Sequence, residues 1–125
     1  VALIYAVDEN TTREEQEAIS DQIVISGCRY AVCAGYKSSS WDDSIDMAYL
    51  KRNGGDVHDE NFVMTSWHDK ESLEDIVFFF LSLTSFDYFT AERFVVLLVG
   101  EDGSYLSRIQ REIEKQLGQQ RTRLI

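Results

Sequence analysis

Four times along the chain, a short apolar run rich in β-formers is followed by a segment whose apolar residues recur at helical spacing. Residues 1–7 form the first run, ended by the turn-formers Asp8-Glu9-Asn10. Thr12-Arg13-Glu14-Glu15 then reads as a capping box, opening a helix that turns Ala18, Ile19 and Ile23 inward and stops at Gly27. The second run, 28–36, leads through the 37–40 loop to a helix carrying Trp41, Ile45, Ala48 and Tyr49 on one face. Asn53-Gly54-Gly55 ends that helix, and 56–61 is polar loop. The third run is 62–67. Ser72, with Asp75 three residues on, caps a helix through 76–81 that is apolar all round and so needs cover on more than one side. A strand competes for that stretch, and the Ser72-Leu73-Glu74-Asp75 start favours the helix. The fourth run is 94–99, and Ser104 caps a last helix with Leu106, Ile109, Ile113 and Leu117 on one face.

Strand and helix alternating four times specify a single α/β domain with about four mostly parallel strands and helices on both faces, a three-layer Rossmann-like or flavodoxin-like arrangement. The domain is expected to span residues 1–118, with 119–125 a polar, basic end that frays. By analogy with flavodoxin-like sheets the expected strand order is 2-1-3-4.

A chain of 125 residues, 44% apolar, is long enough for one buried core and unlike a disordered acid. No run approaches the roughly 18–20 apolar residues of a membrane span. Residues 1–7 are too short for a signal peptide and lack its basic start, so a cytoplasmic setting is expected. Cys28 and Cys33, five apart in one predicted strand, should face opposite sides, which opposes a disulfide between them. The chain has no CxxC, no HExxH and no Cys/His array, so neither a structural zinc nor another cofactor is indicated.

Net charge is −10, which disfavours nucleic acid and suits a basic protein partner. In a parallel sheet all strands end on one edge, the usual ligand edge. Asp8 and Glu9 follow the first strand, Asp42, Asp43 and Asp46 the second, Asp69 and Glu71 the third, and Glu101 and Asp102 the fourth. Between Asp42 and Asp75 ten acids stand against Lys51, Arg52 and Lys70, so one strongly negative rim is expected. Helix capping accounts for Asp42, Asp43 and Asp75 without any function. It accounts poorly for Asp56, Asp59 and Glu60, which lie in a loop with no helix start.

Three chemistries compete for these residues. The rim would dock a basic protein such as a toxin nuclease, with Trp41, Tyr49, Trp67 and Tyr36 as aromatic anchors beside the acids. Alternatively, strand-end carboxylates, Asp8 and Asp42 foremost, would hold Mg²⁺ for receiver-like phosphoryl transfer or small-ligand binding. Against this, no fifth strand–helix unit is present and no Lys follows a late strand. Third, His68 would act as a general base. Adjacent residues of an extended segment point apart, so Asp69 is a poor orienter, and no GxSxG accompanies it. His68 therefore reads as a loop or cap histidine and His58 as solvated. Gly54-Gly55 and Gly100–Gly103 match neither a P-loop nor a dinucleotide fingerprint.

Trp41-Asp42-Asp43-Ser44-Ile45-Asp46 and Phe62-Val63-Met64-Thr65-Ser66-Trp67-His68 resemble the W-D-D-S-x-D and F-V-M-T-x-W-H motifs of a family of small uncharacterised bacterial α/β proteins. The resemblance implies a bacterial, cytosolic single domain and transfers no catalytic residue. To toxin immunity proteins the similarity is general, in size and acidity. The expectation is thus a non-enzymatic binding protein, an immunity protein covering a cognate toxin's substrate cleft or an exosite. Its partner face would comprise Trp41, Asp42, Asp43, Asp46, Tyr49, Asp56, Asp59, Glu60, Trp67, Asp69 and Glu71. The phenylalanine-rich helix over 76–83 would serve a contact between two copies of the chain.

Overall fold

The computed structural model describes the backbone of residues 1–123 and the side chains of residues 1–119. Eight elements alternate as expected: β1 (Ala2–Ala6), α1 (Arg13–Ile25), β2 (Tyr30–Gly35), α2 (Ser38–Arg52), β3 (Met64–His68), α3 (Leu73–Ser82), β4 (Val95–Val99) and α4 (Ser104–Arg123). All three strand pairings are parallel. The strand order is β3-β2-β1-β4, which corrects the expected 2-1-3-4. Two successive crossovers step outward in one direction, so right-handedness places α1 and α2 on the same face. The third crossover reverses direction, and α3 travels across the opposite face to deliver β4 beside β1.

Two apolar layers result. Ile4, Ala31 and Cys33 pack with Ile23, Trp41, Ile45 and Tyr49 on the α1–α2 side. Leu3, Val32 and Ala34 pack with Ile76, Val77, Phe80 and Ile109 on the α3–α4 side. Leu3, Ile4, Val32 and Cys33 have no exposure at all; burying a large aliphatic side chain stabilises by roughly 1.5–3 kcal/mol. Thr12 caps α1 by accepting from the Glu15 N–H, and Ser72 caps α3 by accepting from the Asp75 N–H.

Several local expectations are corrected. Ala18 is exposed, and Ser20 takes the inward place, its hydroxyl 2.8 Å from that of Ser44. Helix α2 starts at Ser38 from a left-handed Lys37 (φ 50°) with no side-chain cap. Asp42 and Asp43 thus lie beyond the first turn and are not capping residues. The Asp102 carboxylate accepts from both the N–H and the hydroxyl of Ser104, so Asp102 and not Ser104 supplies the cap of α4. That helix extends to Arg123, and part of the 119–125 end lies outside the described residues. Leu106 and Leu117 of its expected inward face are partly exposed. Cys28 precedes β2 and packs in the same layer as Cys33, not on the opposite face, and both are free thiols. Helix α3 buries Ile76, Val77 and Phe80, but Phe78 remains half exposed.

The C-terminal edge of the sheet depends on two glycines. Gly35 has φ +86°, and a Cβ there would meet the Ala6 carbonyl oxygen. Gly100 has φ +122°, with the Asp8 carboxylate where its Cβ would be. Since neither the backbone angle nor the space at Gly35 admits a side chain, Gly35→Ala is expected to cost more than about 2 kcal/mol in urea denaturation. A variant as stable as the wild type would contradict this geometry.

Candidate functional site

The acids do not share one rim. Asp8 and Glu9 after β1, Asp69 and Glu71 after β3, and Glu101 and Asp102 after β4 do reach the C-terminal edge of the parallel sheet. Asp56, Asp59 and Glu60 lie in the loop that feeds the start of β3, at the opposite edge. There Arg29 donates to the Asp59 and Phe62 carbonyls at 3.0 Å each, and the Tyr49 hydroxyl accepts from the His58 N–H at 2.9 Å and donates to Asn61 Oδ1 at 2.7 Å. A loop that follows a helix necessarily approaches the next strand from its N-terminal end.

Several rim carboxylates are already engaged. Asp8 bridges the ends of β1 and β4: it accepts the backbone N–H of Asn10 and that of Glu101, both at 3.0 Å. Those two amides hold its carboxyl below the usual range. Asp102 is lowered likewise by the Ser104 hydroxyl and N–H. Glu71 is bound to His68. In contrast, among the described residues Arg13–Glu17 (3.2 Å) is the one pairing of a carboxylate with an Arg or Lys. The negative field is therefore little compensated from within.

Asp42 and Asp46, one helical turn apart, turn inward onto β3. The Thr65 hydroxyl lies 3.2 Å from Asp42 Oδ1 and 2.8 Å from Asp46 Oδ1. Asp42 is buried, at 8% exposure. Burial first, and then the charge of Asp46 and a hydrogen bond shared with it, push the Asp42 carboxyl up to about 6. Asp42 therefore keeps its proton to a higher pH than an exposed aspartate does. Burial, with the same two acids behind it, also raises the Cys33 thiol, which is no nucleophile at neutral pH. Asp8 and Asp42, the expected metal ligands, are not brought together: one ties β1 to β4, the other faces β3 at the far side of the sheet.

Trp41, Tyr49 and Asp42 are buried, at 4%, 2% and 8% exposure, so none is an exposed anchor, although Trp41 lines the groove between α1 and α2. Trp67 and Tyr36 are half exposed. Between α1 and α2 runs a groove of about 990 Å³ that the sequence reading missed. Its lining includes Glu9, Glu17, Asp21 and Asp43 against Arg13, Lys37 and Lys51, with exposed Tyr36 and Met47. Across the two helices Gln16 Nε2 donates to Ser40 Oγ at 3.0 Å. No periodicity signals this groove, because it arises where small side chains (Ser20, Ser40, Ser44) let two helices meet while their outer faces diverge.

The sequence predicts a loop or cap position for His68. It is instead the last residue of β3, buried against Phe79 with ring centroids 4.5 Å apart. Its Nδ1 is 2.8 Å from Glu71 Oε2, and its Nε2 is 2.9 Å from Ser66 Oγ. Asp69 is not its orienter, as expected. Lys70, left-handed at φ 60°, turns the chain so that Glu71 reaches back. Period-two alternation alone places Ser66 and His68 on one face.

Fold and site together define a three-layer α/β domain with a four-stranded parallel sheet, an α1–α2 groove on one face and a polar relay on the other. The chain belongs to the family described as a domain of unknown function, DUF7684, which matches residues 1–116. No curated protein and no solved structure matches it. No helix among the described residues is long and apolar enough to cross a membrane.

The Asp42–Asp46 pair has a measurable consequence. Folded Asp42 keeps its proton up to about pH 6, whereas the unfolded chain releases it near 3.8, so the fold loses stability as pH rises through that window. Asp42→Asn needs no proton and should raise Tm by about 4 °C at pH 8, with little gain at pH 4. Thermal melts at the two pH values check this, and an equal shift at both would contradict the raised Asp42 carboxyl.

Proposed function

We propose that the protein is a binding module that receives an elongated basic element of a partner in the α1–α2 groove. The observation that carries the reading is the groove itself, with Glu9, Asp21 and Asp43 along it and the exposed Tyr36 and Met47 as apolar contacts. The net charge of −10, little offset by internal ion pairs, would speed encounter with a basic protein. Asp43, Tyr36, Glu9 and Asp21 supply exposed contacts beside Trp41 in the groove lining, in place of Asp42 and Tyr49. In its finer form the proposal is an immunity protein that neutralises a basic toxin by covering its substrate cleft or an exosite. This rests on size, acidity and charge complementarity. A contact between two copies through residues 76–83 is compatible, because it would use Phe78 and Leu83 on the other face. Comparing the light-scattering mass of the wild type with that of Phe78→Glu decides it: a monomer in both removes that contact.

The groove is tested by titrating the labelled protein with a lysine/arginine-rich peptide and following amide shifts. Perturbations should concentrate on α1 and α2, and Asp21→Lys with Asp43→Lys should weaken binding about tenfold while leaving the melt unchanged. Shifts spread over both edges of the sheet, or an unchanged affinity, would remove the groove as the contact.

A further inference from the structure

Ser66, His68 and Glu71 form a hydroxyl–imidazole–carboxylate chain on the face of the sheet opposite the groove, and the docking role makes no use of it. Its polarity follows from the two distances. With the Glu71 carboxylate 2.8 Å from Nδ1, that nitrogen carries the ring proton, which leaves Nε2 as the acceptor for the Ser66 hydroxyl at 2.9 Å. The ring is fixed: His68 is 7% exposed and packs on Phe79. Ser66 is only partly buried, on a strand at the edge of the sheet. The Met64 N–H donates to the carbonyl of Arg29, the residue just before β2, so alternation turns the Ser66 and His68 amides toward β2 and the Trp67 amide toward the open edge. A nucleophile, its base, the base's orienter and an N–H directly after the nucleophile therefore sit within six residues.

We infer that Ser66 is an activated nucleophile toward small acyl esters, with His68 as its general base and Glu71 as the positioning carboxylate. As Ser66 Oγ bonds to the acyl carbon, its proton passes to His68 Nε2, and Glu71 stabilises the imidazolium. The imidazolium then gives that proton to the departing alkoxide as the ester C–O bond breaks. Water, deprotonated by His68, releases the acid and restores Ser66. The Trp67 N–H on the open edge is the available donor to the tetrahedral oxyanion. Asp69 and Glu71 beside the site disfavour anionic substrates, and the adjoining Phe79 and Met64 favour a neutral acyl group with apolar carbons.

The test is labelling of the folded protein by a fluorophosphonate at pH 8, read by intact mass and peptide mapping, together with the p-nitrophenol burst from p-nitrophenyl acetate. The expected result is one adduct, on Ser66, and a burst of about one equivalent that Ser66→Ala abolishes. His68→Gln should slow labelling about 100-fold. That variant alters a buried ring, so Glu71→Gln, at a partly exposed carboxylate, serves as the second probe and should slow labelling about tenfold with an unchanged melt. A wild-type protein left unlabelled at Ser66, or labelled at the same rate in Glu71→Gln, overturns the proposal. Neither result bears on peptide binding in the groove.

Discussion

Burial of both faces of β1 and β2 is the constraint on which the other features depend. Leu3 and Val32 face one layer, Ile4 and Cys33 the other, and none is exposed to water. Parallel strands of this kind are stable only with helices on either side, so α1 and α2 must seal one face and α3 and α4 the other. The close approach of β1 and β2 then forces glycine at position 35. The same arrangement leaves β3 and β4 at the margins, where polar side chains can meet water.

Each face carries its own chemistry. On the α1–α2 side the contact between helices is made by small polar side chains, Ser20 with Ser44 and Gln16 with Ser40. Their outer surfaces therefore diverge into a groove with acids along it. On the α3–α4 side, β3 projects Ser66 and His68 into a mainly apolar layer, where each imidazole nitrogen has a partner. On the α1–α2 side, between α2 and β3, lies the Asp42–Asp46 pair, inward-facing and bound to Thr65. The raised Asp42 makes its ionisation a cost to the fold at neutral pH, while Asp8, held by two amides, contributes stability there and loses it only as the pH falls through its lowered value.

The distribution of charge follows from topology as much as from composition. Loops after strands take Asp8, Asp69 and Glu101 to one edge, and the loop after α2 takes Asp56, Asp59 and Glu60 to the other. Two patches of like charge at opposite edges offer a basic partner different surfaces, and the groove is where acids coincide with exposed apolar side chains.

Element types, their order and most inward faces were legible in the chain, because they depend on spacing within a dozen residues. Trp41, Ile45, Ala48 and Tyr49 are all buried as their i, i+4, i+7, i+8 spacing requires, and Gly27 ends α1. The start of α2 was not legible, since a left-handed Lys37 without a capping side chain leaves no local signal. Ser66 and His68 were placeable on one face by alternation alone, but the arrival of Glu71 needed the turn at Lys70. Strand order and the meeting of Asp42 with Thr65 were decided by tertiary structure. They depend on which way each crossover runs and on how closely two helices pack, and neither quantity is encoded in any single stretch of residues.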